Sequence, residues 1–545
     1  MRATAAAVLF LAAAPLLAQV RERVDVQVLE IDATVIDRSG KVIEGLTRDD
    51  FEVVIGKRAT PVTNFFAVNG GQILGGDETV TASKRVAPAQ TSFPTSLVIF
   101  IDETHLSQHS HTRTIEALKR YVAANVGANM TATLIRYNGD LTVRVRPTER
   151  PGYILGELDA IAIDPSVDNT KREREAMIRG IETIFFPQSK WKLADSTGRV
   201  FMELEDYAQR RTVEVDHTLD ALEQAIGLTS IFVGRKVLLY VSDGLPQQPA
   251  LELFDYWDRC SRLSLEAQDA KAELMHRTGA EATRYDRTEK FRQLIVAAQR
   301  AGVSIYSFDA GGVRGYEGRS VENALSRAKF DTMLYQSNER SGLQYAAAET
   351  GGRYIANENN VDKLLGEISA QFTTFYSIGV RAASGDIRVK VRNHPEYRVL
   401  TARRRPPRSR DEELEQDVRR RLYTRGSENP IEANVNIGTP ADIAGQCVAP
   451  LRIVVPQPKL APELTPQAVD VRIVLLNDRN DESALQRVSM PFVSGQVAQS
   501  MQLRVRPVHH VLSVAITNPL SGESSFFQGE VDGTACNDSV AINSR

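Results

Sequence analysis

The run SLVIFI at residues 96–101, followed by Asp102-Glu103-Thr104-His105-Leu106-Ser107, decides the fold class. A nearly unbroken apolar run without alternation reads as a strand buried on both faces. Three further runs share this character: residues 132–137, KVLLYV at 236–241 and VSIYSF at 303–308. Between and after them lie stretches with helical spacing of apolar residues, at 114–126, 218–226, 291–301, 343–349 and 361–372. Residues 141–145 alternate, and 353–355 form a short extended piece. Strands that alternate with helices imply an α/β fold, a doubly wound and mostly parallel sheet covered on both sides. This core is expected over residues 94–380.

Outside the core the pattern turns to β. Residues 24–36 alternate, and short strands are expected at 51–55 and 60–68. They make a small N-terminal β unit at 19–70, expected to pair with strands in 381–405. Residues 71–93 read as a linker. Two charged helical insertions, near 165–215 and 250–290, interrupt the core. Residues 406–429 are Arg-rich with interleaved acids and read as a solvated linker helix. Residues 430–545 are almost entirely β and read as a C-terminal sandwich.

At 545 residues the chain has room for three to four domains of about 150 residues. Its 42% hydrophobic and 25% charged content excludes wholesale disorder and a polytopic membrane protein. With 66 basic and 69 acidic residues there is no global pull toward nucleic acid. The opening MRATAAAVLFLAAAPLLAQ has a basic start, an apolar run and small Ala18, which reads as a signal peptide over residues 1–18. Export to the periplasm or the medium is therefore expected, with no transmembrane segment in the mature chain. Three cysteines show no zinc spacing. Cys447 and Cys536 can pair in an oxidising compartment.

In an open α/β sheet, ligands bind beyond the carboxyl ends of the strands. Asp102, Glu103, Thr104, His105 and Ser107 follow the first core strand, Ser242-Asp243-Gly244 follows KVLLYV, and Asp216-His217-Thr218 precedes a helix. This arrangement resembles the von Willebrand factor type A domain. The strings GKVIEGLTRDDFEV, DETHLS, GRKVLLYVSDG, AETGGRYI and RVKVRNHPEYRVLTAR are similar to the VWFA-related Acidobacterial domain family, over about residues 24–405. The resemblance implies a metal-ion-dependent adhesion site, with Asp102 and Thr104 matching the first Asp and Ser of DxSxS, Thr218 the family's Thr, and Asp243 its last Asp. Leu106 stands where the second Ser belongs. Ser107 replaces that hydroxyl only if the loop bulges. A weakened site for Mg²⁺ or Mn²⁺, completed by an acidic partner residue, is the expectation.

His105, His109 and His111 cluster after the first strand, with His217 beside Thr218. Imidazole favours transition metals, so a metal-dependent hydrolase is the rival expectation. Polar residues at a helix start are the plainer account. Gly311, Gly312, Gly315 and Gly318 do not spell a phosphate loop and read as a flexible segment. No GxSxG, HExxH, SxxK or Walker motif stands out. The expected function is non-enzymatic binding of a protein or cell-envelope ligand; a metal-free structural role in the envelope is a further alternative.

Overall fold

The computed structural model describes residues 28–536, apart from 77–92, 128, 164–169, 186–193, 233, 264–280, 312–326, 356–360, 382–386, 405–409, 424–427, 457–466, 479–481 and 494–495. The expected signal peptide, most of the 71–93 linker and the Gly312–Gly318 segment lie outside the described residues. Among the described residues no helix is long and apolar enough to cross a membrane.

The first five strands are β1 (Val28–Ile36), β2 (Phe51–Ile55), β3 (Arg58–Thr60), β4 (Val62–Asn69) and β5 (Gln72–Gly76). The single strand expected at 60–68 is thus two, and part of the expected linker is the strand β5. The core strands are β6 (Thr95–Asp102), β7 (Met130–Tyr137), β8 (Leu141–Thr148), β9 (Arg235–Ser242), β10 (Val303–Asp309) and β11 (Tyr354–Ile355). Their helices are α1 (Gln108–Asn125), α2 (Pro151–Ile163), α3 (Thr170–Phe185), α4 (Ala194–Ser230), α5 (Leu251–Leu263), α6 (Thr288–Ala301), α7 (Arg327–Glu349) and α8 (Val361–Thr373).

The core sheet has the order β11-β10-β9-β6-β7-β8. All its pairs are parallel except the edge pair β7–β8. Every residue of β6 is buried, as a central strand with helices on both faces requires. Leu97, Ile99 and Ile101 point to one side and pack with Ile115, Leu118, Ile154, Leu158, Leu365 and Ile368 of α1, α2 and α8. Val98 and Phe100 point to the other and pack with Leu219, Leu222, Phe291, Leu294 and Leu343 of α4, α6 and α7. Deleting one such buried Leu side chain costs about 3–5 kcal/mol.

The helical insertions build a satellite core of their own. Phe185, Phe201, Leu204, Phe254 and Trp257 of α3, α4 and α5 pack together and are buried. Helix α4 is one continuous 37-residue helix. It runs through the expected insertion and through the separate helix expected at 218–226.

Three strands follow the core: β12 (Phe375–Arg381), β13 (Ile387–Val391) and β14 (Arg398–Arg404). They join the N-terminal strands in two antiparallel sheets, β14-β1-β12-β4-β5 and β13-β2-β3, which share one apolar core of Ile31, Val35, Phe51, Val53, Ile378 and Val389. Helix α9 (Arg410–Arg420) and strands β15 (Asn434–Ile437), β16 (Ala441–Ile443), β17 (Gln446–Pro456), β18 (Ala468–Asn477), β19 (Gln486–Pro491), β20 (Gln496–Arg504), β21 (His509–Thr517) and β22 (Ser524–Asp532) complete the chain. β17 pairs with β15, β16 and β20, and a second sheet has the order β19-β18-β21-β22. Leu451, Ile453, Val471, Ile473, Leu503 and Val514 fill the space between these two sheets. Cys447 and Cys536 form a disulfide that ties the end of the described chain to β17.

The Arg-rich helix is not a solvated linker. Leu414, Val418 and Leu422 dock it against Val474, Leu476 and Ala515 on the outer face of the second sheet. Asp411 meets Arg472 and Arg487, and Arg419 meets Glu482 at 2.9 Å. The interleaved charges that suggested solvent are the polar rim of an amphipathic helix.

Candidate functional site

Parallel strands present their last residues at one edge, and β6, β9 and β10 end there on Asp102, Ser242 and Asp309. A short 3-10 turn, Glu103–His105, and Leu106 lead from β6 into α1. Ser107 is the N-cap of α1 and accepts from the Ser110 amide at 3.4 Å. Its hydroxyl also meets the Ser110 hydroxyl at 2.8 Å. This is the local signal of a helix start, as Ser at an N-cap provides an acceptor for an otherwise unpaired amide.

Asp102 is fully buried and both of its carboxylate oxygens are engaged. Thr104 donates to Oδ1 at 2.5 Å. On Oδ2, His105 Nδ1 lies at 2.8 Å, the Tyr240 hydroxyl donates at 2.6 Å and the Ser242 hydroxyl lies at 3.5 Å. Burial works to raise the Asp102 carboxyl, but the charge and hydrogen bond of His105 outweigh it and hold the carboxyl below its ordinary range. Burial likewise works against a charged His105, and Asp102 outweighs it, raising the imidazole above its ordinary value. Arg211 and Glu339 act on the same ring with opposite signs. Among the described residues, His105 Nε2 is buried without a hydrogen-bond partner.

The same pattern repeats along the edge. Glu103 is buried between His111 Nε2 at 2.9 Å and Arg136 Nε at 2.7 Å. Asp309 is buried and meets Arg340 at 3.1 Å and the Tyr354 hydroxyl at 2.7 Å. Arg211, itself buried, lies 3.7 Å from Glu339, and Arg174 lies 3.4 Å from buried Glu252. Sequence reasoning missed Glu103, Tyr240 and Ser242 as partners. Polar residues inside or at the end of an otherwise apolar strand were the available signal. Arg211 and Glu339 come from distant helices, and no local spacing announces them.

The expected ligand set is only partly gathered. Asp102 and Thr104 are in direct contact. Asp243 approaches the same turn, where its amide donates to the His105 carbonyl at 3.0 Å and its Oδ2 accepts from the Ser107 amide at 3.0 Å. Thr218 does not precede a helix. It lies inside α4, fully buried, and its hydroxyl donates to the Glu214 carbonyl at 3.0 Å. It also touches Tyr137, whose phenol is pushed up to about 12 mainly by burial and next by the Asp102 charge. Leu106 is fully buried in the core with Ile101 and Ile115, so the second Ser position of the motif faces apolar side chains.

The residues do not fit a hard octahedral cation, which needs carboxylate and hydroxyl oxygens turned toward one open point. Here the Asp102, Thr104 and Thr218 oxygens are turned toward one another, His105, Tyr240 and the Glu214 carbonyl, and Asp243 Oδ2 is turned toward the Ser107 amide. Among the described residues no group of three His, Cys, Asp or Glu side chains could hold a metal. The histidines are likewise separated in role. His105 faces Asp102, His111 faces Glu103, His217 is exposed on α4, and the His109 side chain lies outside the described residues.

A cleft of about 510 Å³ lies elsewhere, between the end of α4 and helix α9, lined by Leu141, Leu228, Ile231, Glu412, Arg419 and Tyr423 among others. It contains none of the edge residues described above.

No family model and no curated protein matches the chain. Among solved structures it is similar to an aerotolerance-related membrane protein from Bacteroides fragilis, at 11% identity and a TM-score of 0.23, over 51% of this chain and 98% of that one. A conserved hypothetical protein, BatB, from Bacteroides thetaiotaomicron gives 11% identity and a TM-score of 0.21, over 51% and 97%. Proximal thread matrix protein 1 from the mussel byssus gives 11% and 0.22, over 55% and 49%. Likeness at this level assigns neither fold family nor function.

Proposed function

We propose that the chain is an exported, non-enzymatic binding protein of the cell envelope. In this reading residues 94–380 are a von Willebrand factor type A core. It is framed by the β unit and followed by a sandwich domain. The sheet order, with Asp102 closing the central strand and one antiparallel edge strand, supports the core assignment. The Cys447–Cys536 disulfide supports an oxidising compartment, because such bonds persist outside the reducing cytosol.

The observation that carries the binding role is the brace between the loops after β6 and β9. Two hydrogen bonds, Asp243 to His105 and Ser107 to Asp243, fix these loops against each other. Ser107 and Gln108 stay exposed at the outer end of this brace. A surface held in place before contact loses little freedom on binding, which favours recognition of a protein or envelope polymer. The hydrolase alternative draws no support from this geometry, since His105 and His111 are each turned into a buried carboxylate.

The test is capture from envelope extract on the immobilised full chain, with and without EDTA, beside the variants Ser107→Arg and Asp243→Ala. Loss of the captured species with either variant, unchanged by EDTA, is the expected result. Equal capture by the wild type and both variants would remove this edge as the binding surface.

A further inference from the structure

We propose that the His105 imidazole takes the place that a divalent cation would hold at the end of the central strand, so that this edge is complete without a metal. The inference does not depend on the binding role, and its test reads stability rather than capture.

The argument starts from burial. Asp102 sits at 0% exposure, and a buried carboxylate without a compensating donor is prohibitively costly. A metal ion is one solution. This chain carries another three residues along, where the 3-10 turn brings His105 Nδ1 to 2.8 Å from Asp102 Oδ2. His105 is itself buried, so the contact is shielded from solvent. Thr104 and Tyr240 supply the remaining hydrogen bonds to the same carboxylate, and the Ser242 hydroxyl lies 3.5 Å from it. Tyr240 and Ser242 belong to the neighbouring strand β9, so their positions are set by the sheet ladder rather than by a loop.

The other would-be ligands are also committed to the protein. Thr218 spends its hydroxyl on the backbone of its own helix. Leu106 pins the turn inward through the core, where a ligand hydroxyl would have to point outward. The Asp243 amide closes on the carbonyl of His105 itself, so the ring's own residue forms part of the brace between the two loops. Each of the five family positions thus has a role inside the protein, and His105 connects two of them.

Thermal unfolding of the full chain in EDTA, Mg²⁺ and Mn²⁺ tests this, beside His105→Ala and Asp102→Asn. The expected wild-type melting temperature is the same in all three conditions, with no heat of binding on calorimetric titration. His105→Ala is expected to melt on the order of 10 °C lower. Part of that loss should return in millimolar Mn²⁺, because removing the ring exposes the carboxylate to solvent ions. His105→Gln, which keeps an N–H donor, serves if the Ala variant fails to fold, and should melt between the two. A wild-type melting temperature that climbs with Mg²⁺ or Mn²⁺, with the rise abolished in Asp102→Asn, would overturn the proposal. A His105→Ala chain as stable as the wild type would overturn it equally.

Discussion

Glu103 Oε1 lies 2.9 Å from His111 Nε2, with both side chains buried, so helix α1 is fastened to the end of the central strand by a polar contact closed to water. Arg136 of β7 approaches the other oxygen of the same carboxylate. Removing one member of such a group leaves the others desolvated. Glu103→Ala is expected to cost about 3–5 kcal/mol in urea unfolding. Glu103→Gln keeps an acceptor and should cost less. A loss below about 1 kcal/mol for the Ala variant would mean the contact is not formed in solution.

Restoring the motif hydroxyl should not restore the motif. Leu106 is fully buried, so Leu106→Ser removes apolar contact and buries a hydroxyl. The expected destabilisation is about 3–5 kcal/mol, without any gain of Mg²⁺ affinity in a calorimetric titration. A Leu106→Ser chain that kept its stability and bound Mg²⁺ would show that the turn can rearrange outward.

Gly352 packs directly on strand β10. A Cβ placed there would lie 1.9 Å from the Ile305 carbonyl oxygen, an atom held by the sheet. Gly351 beside it has φ +73 and a Cβ there would lie 2.1 Å from the Thr401 carbonyl oxygen. Gly352→Ala is expected to lose roughly 3 kcal/mol or more, since the backbone cannot yield. A chemical-denaturation midpoint equal to that of the wild type would refute this close approach.

The disulfide closes a loop of sequence separation 89, and on chain entropy such a link contributes about 4–5 kcal/mol. Reduction and the Cys447→Ser/Cys536→Ser double variant should therefore lower the melting temperature to a similar value. The oxidised chain should show one thiol under denaturing conditions, from buried Cys260. Three reactive thiols in protein purified without reductant would contradict the pairing.

His510 on β21 is held below its ordinary value of 6.5, chiefly by burial, with Arg506 and His509 adding to the effect while the Val508 backbone and Asp478 oppose it. The unfolded chain then takes up a proton that the folded chain resists. The His510 contribution is complete above about pH 6.5 and is lost as the pH falls through the depressed folded value. The melting temperature should decline on acidification in this window, and His510→Gln should flatten the decline. Parallel profiles for the two proteins would dismiss His510 as its source.

The core was legible because its strands are buried on both faces, so SLVIFI, KVLLYV and VSIYSF carry no helical or alternating period to confuse them. The Asp102 and Asp243 positions followed, because strand ends are where such a sheet exposes chemistry. Thr218 was misplaced because α4 continues through it. Its N-terminal half packs against Phe254 and Trp257 of α5, a distant partner that local spacing does not reveal. The Arg-rich helix was misread for the same reason: its apolar side, Leu414, Val418 and Leu422, is meaningful only against Val474 and Leu476. The destination of His105 was hidden because a histidine in a turn has no spacing of its own. Its partner is decided by which neighbouring groups need a donor.

The mixed parentage of the sheet β14-β1-β12-β4-β5 sets an order of events. Strand β1 is near the start of the chain, yet its two neighbours lie beyond the whole α/β core. The Leu46 amide donates to the Tyr376 hydroxyl across 330 residues of chain. During synthesis, β1 is therefore made first and must wait with both ladder edges open until β12 and β14 emerge. Pairings this distant are slow to form and prone to stray association. The core, whose contacts are nearer in sequence, can close in the meantime and bring the two late strands to the waiting one.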